Sequence, residues 1–209
     1  VRGEWVYDDK LQILSNPLVY EPGNAWKAIT SDVWAYRSKE LAGAPGGAYW
    51  RPVFMMQMVL QHRLFGFDHQ EFWHAANYML HGLVSALAFF LLRRLRVSPF
   101  VSFGAACVFA VHPVHVESVT WISGSPDLLM GIGLLGGGIC AATLATRNTV
   151  LAWSGLIASY LCAIGAKEIG IFGPLVAAAM VWACRRDEQP GESVLSTLSR
   201  AFQVAFPGL

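Results

Sequence analysis

Five stretches of the chain carry no Asp, Glu, Lys or Arg: residues 72–92, 97–116, 128–146, 148–166 and 169–184. The first four are 19 to 21 residues long. A helix rising about 1.5 Å per residue over that length covers roughly 30 Å, the thickness of a bilayer's hydrocarbon core. The pattern predicts an all-α integral membrane fold, a multispanning helical bundle of about five spans. The fifth stretch, with 16 residues, makes the shortest span. The second contains Ser98, Pro99 and His112-Pro113-Val114-His115, so its apolar centre is nearer about 14 residues and suits a tilted, short or partly re-entrant segment.

Before these runs, residues 1–70 mix polar and apolar positions and are punctuated by Asn16-Pro17, Glu21-Pro22-Gly23 and Ala44-Pro45-Gly46-Gly47. They read as a non-cytoplasmic first loop with juxtamembrane helices rather than a separate domain. Within it, Val53 to Leu64 suits either a helix lying in the membrane interface or one packed on its neighbours. Residues 71–186 then form the transmembrane bundle. Residues 187–209 form a cytoplasmic segment leading to a truncated remainder. The chain opens at Val1 with no signal-like segment, which reads as a fragment.

Alternating the spans puts Arg93, Arg94, Arg96, Arg147, Arg185 and Arg186 on one side, and Glu71, Glu117, Asp127, Lys167 and Glu168 on the other. Arginine-rich ends face the cytoplasm. The polar residues therefore converge on a periplasmic surface, or a lumenal one in a eukaryote.

Composition agrees: 55% of residues are hydrophobic and 14% charged, against roughly 25% charged in a soluble domain. The near-neutral balance, 15 Lys plus Arg against 14 Asp plus Glu, argues against nucleic acid as a partner. Cys107, Cys140, Cys162 and Cys184 all fall inside the apolar runs without zinc-like spacing, so free thiols are expected.

Four polar groups carry candidate chemistry. Asp8 and Asp9 are adjacent carboxylates, one able to act as a general base while the other orients an acceptor or a metal, or else a solvated acidic turn. Arg51, in Tyr49-Trp50-Arg51-Pro52, presents a planar fork suited to phosphate beside aromatic rings that suit either the bilayer interface or stacking on a sugar. His112, His115 and Glu117 crowd the end of a span. Their spacing is not that of a metal helix, and they suit phosphate binding or helix capping. Lys167 and Glu168 split a long apolar stretch, either as a turn or as functional charges facing protein or a water-filled cavity. Asp127 reads as a helix N-terminal acid, and Gly133 with Gly137 as a close helix–helix contact. No cofactor is obligatory on this reading. A divalent metal is compatible with it but not indicated.

In order along the chain, Val6-Tyr7-Asp8-Asp9, Asn16-Pro17-Leu18-Val19, Asp32-Val33-Trp34, Tyr49-Trp50-Arg51-Pro52, His112 to Val119, Gly124 to Leu128 and Ala166-Lys167-Glu168-Ile169-Gly170 resemble the membrane portion of the transmembrane and tetratricopeptide-repeat O-mannosyltransferases and their bacterial relatives. The resemblance covers roughly residues 5–172. It implies a C-type glycosyltransferase fold and an enzyme that moves mannose or another hexose from a polyprenyl-phosphate carrier to a protein or envelope-glycan hydroxyl, with inversion. It also implies a site on the periplasmic face of a bacterial inner membrane or the lumenal face of the endoplasmic reticulum. It places the acidic motif on Asp8 and Asp9, with Asp8 the preferred base. Arg51, His112, His115, Glu117, Lys167 and Glu168 would then serve the lipid phosphate and substrate. The chain departs from the family pattern at Gly124-Ser125-Pro126-Asp127, where a basic residue is expected, and shows no tetratricopeptide repeats. Two other classes fit the residues: a non-catalytic membrane anchor for a downstream repeat domain, and a transporter gated by Lys167, Glu168 and the histidines.

Overall fold

The computed structural model describes residues 4–37 and 49–188. All regular structure among them is helical. Two short helices, α1 (Pro17–Tyr20) and α2 (Ala25–Thr30), precede α3 (Pro52–Phe65). After it come α4 (Gln70–Arg94), α5 (Pro99–Val111), α6 (Val116–Thr120), α7 (Ser125–Thr146), α8 (Val150–Ala166) and α9 (Gly173–Glu188).

The stretches Gln70–Arg94, Ile122–Thr146 and Glu168–Arg185 are long and apolar enough to cross a bilayer. Pro99–Val111 and Pro113–Thr120 pass together only as a pair bent by 48°, which is the interrupted second run of the sequence. Its cause is local: Pro113 lacks an amide hydrogen and cannot continue the helix from Val111. The last run proves long enough because the turn at Glu168–Phe172 extends it. The short helix is instead α8, with 17 residues. Thr149 caps it at one end, its side chain accepting from the Ala152 amide at 3.2 Å. Lys167, extended at φ −155°, stops it at the other.

Helix α7 is the hub, packing on α4, α8 and α9. Its contact with α9 and α8 is apolar: Ala141, Leu144, Ala152, Leu156, Ala177 and Val181 are all buried. At Gly133 the backbones of α7 and α8 nearly touch, for a Cβ there would lie 2.6 Å from the Ser159 carbonyl oxygen and 2.7 Å from the Ala163 nitrogen. Small residues are what permit such an approach in a membrane, where apolar side chains gain nothing by leaving lipid.

The segment 4–37 is folded onto α3 around a core of Trp5, Ile13, Leu18, Val19, Val33, Phe54, Met55 and Met58. That core is shared with Trp73 of α4 and Ile122 at the entry to α7. Asn16 holds it from within: fully buried, it donates to the carbonyls of Gln12 (3.1 Å) and Val33 (3.2 Å) and accepts from the Leu18 amide (3.0 Å). Asp32 makes the second staple, accepting from the amides of Trp34 (2.7 Å) and Tyr49 (2.5 Å). Helix α3 packs on its neighbours through one face and exposes another. Phe54, Met55, Met58 and Val59 face the core, while Met56, Leu60 and Leu64, four positions apart, form an exposed apolar stripe.

Candidate functional site

Chain direction brings the N-terminal ends of α4 and α7, the C-terminal end of α8 and the segment 4–37 to one end of the bundle. Arg93, Arg94, Arg96 and Arg147 lie at the turns of the opposite end. A run of polar contacts crosses the first end. Asp9 is fully buried, and its carboxylate accepts from the Val6 amide (3.2 Å) and, across 114 positions, from the Ser123 amide (2.8 Å). One turn beyond Ser123, Asp127 receives the Lys167 ammonium at 2.5 Å. The next residue, Glu168, binds Arg51 through both prongs, Nε to Oε1 and Nη2 to Oε2, each at 2.9 Å.

The two acids are thus held in different environments. Asp8 is exposed and accepts from the Gln12 amide nitrogen at 3.3 Å. Asp9 spends both oxygens on backbone amides and anchors the turn that presents Asp8. That turn is strained at Tyr7, which has φ +42°, a left-handed conformation uncommon outside glycine. The Tyr7 ring lies on Trp121, centroids 5.1 Å apart and planes tilted by 31°.

Arg51 begins α3, its guanidinium 5.0 Å from the centre of the Tyr49 ring and its side chain only 16% exposed. Two of its five N–H groups are engaged by Glu168, and among the described residues the other three have no partner. Lys167 and Glu168 point to different partners, as sequence neighbours in a helix or turn must. The geometry needs Gly170: a Cβ there would collide with the Ala163 carbonyl and the Ile164 nitrogen.

The histidines form a second group. His112 terminates α5 and its Nδ1 accepts from the Val114 amide at 3.2 Å, a capping contact. His115 packs against Phe109 (4.2 Å between centroids), His81 (5.1 Å) and His112 (6.3 Å). His81 Nε2 donates to the Ala110 carbonyl at 2.9 Å, satisfying a helix-end acceptor exposed by the break at Pro113. Glu117 is exposed in the first turn of α6. The stretch that lacks the expected basic residue opens α7 with Ser125 and Pro126 both buried, a place where a charge would be costly. Among the described residues, no three His, Cys, Asp or Glu side chains approach closely enough to hold a metal.

Two features escaped the sequence reading. His74, Asn77, His81 and Ser85 recur at three- and four-residue steps within the charge-free run 72–92 of α4, a signal that was there to be read. Asn77, fully buried, donates to the Trp121 carbonyl at 2.6 Å and so ties α4 to the entry of α7. The other is a groove of about 350 Å³ between α4 and α5, lined by Ser85, Phe89, Phe90, Phe103, Ala106 and Cys107. Ala110 also lines it, so the histidine group sits at one end of an apolar trough.

No family profile matches the chain, and no solved structure matches it. Similar sequences exist among curated proteins. Protein O-mannosyl-transferase TMTC1 of Mus musculus is 34% identical over 132 residues, 62% of this chain and 14% of that protein. Protein O-mannosyl-transferase Tmtc1 of Drosophila melanogaster is 30% identical over 172 residues, 80% of this chain and 19% of the relative. Protein O-mannosyl-transferase TMTC4 of Homo sapiens is 31% identical over 149 residues, 64% of this chain and 19% of the relative. The chain therefore spans 14 to 19% of the length of these three relatives. With its ordered motifs, apolar helices and identities of 30 to 34%, the chain is an integral membrane protein that belongs to the TMTC family.

Proposed function

We propose that this protein transfers mannose or another hexose from a polyprenyl phosphate to a hydroxyl of a protein or envelope glycan, on the side of the membrane opposite its arginine-rich turns. The observation that carries this reading is the exposed Asp8 carboxylate, fixed by its buried neighbour Asp9 to the same end of the bundle as two cations, Arg51 and Lys167. In the reaction, Asp8 takes the proton of the acceptor hydroxyl as the acceptor oxygen bonds to the sugar's anomeric carbon. The bond from that carbon to the phosphate oxygen breaks on the opposite face, which inverts the centre. The electron pair leaves with the polyprenyl phosphate, whose added charge meets the spare N–H groups of Arg51, the Lys167 ammonium and His115. The proton on Asp8 passes to solvent.

The trough between α4 and α5 suits the carrier's apolar chain, with the His81, His112 and His115 group at its end to receive the phosphate. Glu168 positions Arg51, and Glu117 lies where a polar acceptor would approach. No metal enters this scheme.

The test is glycan-sensitive mass spectrometry of envelope or secretory proteins and lipids from cells carrying the full-length gene, compared with Asp8→Asn at equal expression. Loss of a hexose-sized mass from a protein or lipid in Asp8→Asn supports the reading and names the acceptor class. An unchanged profile in Asp8→Asn, with a change on deleting the gene, would replace it with a membrane scaffold.

A further inference from the structure

Tyr7 is 75% exposed and holds a left-handed backbone, φ +42°. A non-glycine residue there costs roughly 1–2 kcal/mol, and the ring recovers little of it by burial. The strain is imposed from Asp9. The Asp9 amide donates to the Val6 carbonyl at 2.9 Å, while its carboxylate grips the Val6 and Ser123 amides. The chain from Val6 to Asp9 is thereby folded back on itself, and Tyr7 is pushed out over Trp121. Trp121 is held from beneath by its own carbonyl, which accepts from buried Asn77 at 2.6 Å.

Two rings with centroids 5.1 Å apart and planes within 31° make an apolar slab. Around it the surface is polar: Asp8, Lys10, Glu117 and Thr120 are exposed on the adjoining turns. An aromatic face bordered by a carboxylate is suited to a ligand with one apolar face and a hydroxyl edge. A pyranose ring is that: its axial C–H bonds lie on a π face, and its hydroxyls donate to carboxylate oxygens.

We propose that Tyr7 and Trp121 form the stacking platform for the hexose, setting its hydroxyl edge against Asp8. The assignment deepens the glycosyltransferase reading and rests on it for the purpose of the sugar, but not for whether a sugar binds. Asp9 and Asn77 are positioning residues for the platform, each fixing one ring through the backbone.

The experiment uses the full-length protein in detergent, with methyl α-D-mannopyranoside as the probe. Saturation-transfer NMR reports which sugar protons touch aromatic rings, and a steady-state transfer assay runs in parallel. Tyr7→Asn is the informative variant, since Asn tolerates a left-handed backbone and removes the ring without adding strain. Expected are loss of the saturation signal in Tyr7→Asn and in Trp121→Ala, and a rise in donor KM of about tenfold. Tyr7→Phe should restore both, while Asp8→Asn should keep the saturation signal and lose transfer. A wild-type saturation signal and KM in Tyr7→Asn would overturn the platform and leave the glycosyltransferase reading standing. Ring-dependent sugar binding without transfer by the wild type would do the reverse. A defect of Tyr7→Asn confined to flotation with phosphatidylcholine vesicles, with sugar binding intact, would make Tyr7 a bilayer anchor and also overturn the proposal.

Discussion

Arg51 and Glu168 are 117 positions apart and meet through two parallel hydrogen bonds of 2.9 Å. The pair joins the start of α3, in the segment outside the spans, to the turn leading into α9. Its carboxylate is 42% exposed, and ion pairs of that exposure stabilise by about 0–1 kcal/mol. Its consequence is therefore geometric. Glu168→Gln should shift the melting temperature by no more than about 4 °C, by the ordinary scaling for a chain of this size, yet raise the donor KM because the guanidinium is no longer held at both prongs. The exchange Arg51→Glu with Glu168→Arg should likewise keep the melting temperature near wild type but abolish transfer. Thermal unfolding in detergent beside a transfer assay separates the two effects, and equal transfer by the exchanged protein would remove Arg51 from the phosphate site.

The adjacent acids should separate just as sharply. Asp9→Ala leaves the part-buried Val6 and Ser123 amides without their acceptor, and each orphaned donor costs up to about 1–3 kcal/mol. Asp8→Asn removes a charge from an exposed side chain and should leave stability unchanged. Loss of a general base lowers turnover by about 10²–10⁴. Asp8→Asn should accordingly fold normally and fail to transfer, whereas Asp9→Ala should unfold earlier, lowering transfer through the amount of folded protein. Correcting rates for the folded fraction, read from size-exclusion profiles, checks this. A folded, inactive Asp9→Ala would give Asp9 the larger role in the chemistry.

Close helix contact makes a third prediction. Gly133→Ala would drive a Cβ into the Ser159 carbonyl and the Ala163 backbone, atoms that cannot swing away. Gly131, on the same helix, faces only the Val84 methyl groups at 3.5 Å. Overpacking of rigid neighbours costs about 1–3 kcal/mol. Gly133→Ala and Gly170→Ala should therefore lower the melting temperature by several degrees while Gly131→Ala changes it little. Comparable melting of all three variants would mean that α7 and α8 are less tightly apposed than their backbones indicate.

The charge-free runs made the helical membrane fold legible, because exclusion of charge from lipid acts on every residue of a span. What they did not disclose was which run would fall short. The length of α8 depends on the cap at Thr149 and the extended Lys167, and that of α9 on the turn at Glu168–Phe172. For the candidate site, the motifs named residues that the fold gathers at one end of the bundle but not their partners. Lys167 with Asp127 and Arg51 with Glu168 are contacts over 40 and 117 positions, set by tertiary packing rather than local spacing. Asn16 and Asp32, noticed only as parts of motifs, are backbone staples. The Tyr7 ring was invisible as a feature because its exposure and its left-handed backbone arise from Asp9 reaching Ser123.

His62 gives the outer segment a pH dependence whose sign can be fixed. It sits on α3 with its ring 4.4 Å from Phe67 and 6.4 Å from Tyr20, and burial pushes its pKa below the ordinary 6.5. The unfolded chain therefore binds a proton at a pH where the folded one does not, so the unfolded state gains on acidification. Stability contributed by the neutral ring is fully present above pH 6.5 and is lost as pH falls through the depressed folded value. Wild-type protein should thus unfold at lower temperature as pH is brought from 7.5 to 5, with the first loss around α3 and the segment 4–37 that packs on it. His62→Phe keeps a ring against Phe67 and removes the titration. It should flatten the part of the slope that His62 contributes. Hydrogen exchange of the α3 amides at pH 7.5 and 5 is the direct readout. If acid speeds their exchange equally in wild type and His62→Phe, the sensitivity belongs to another group.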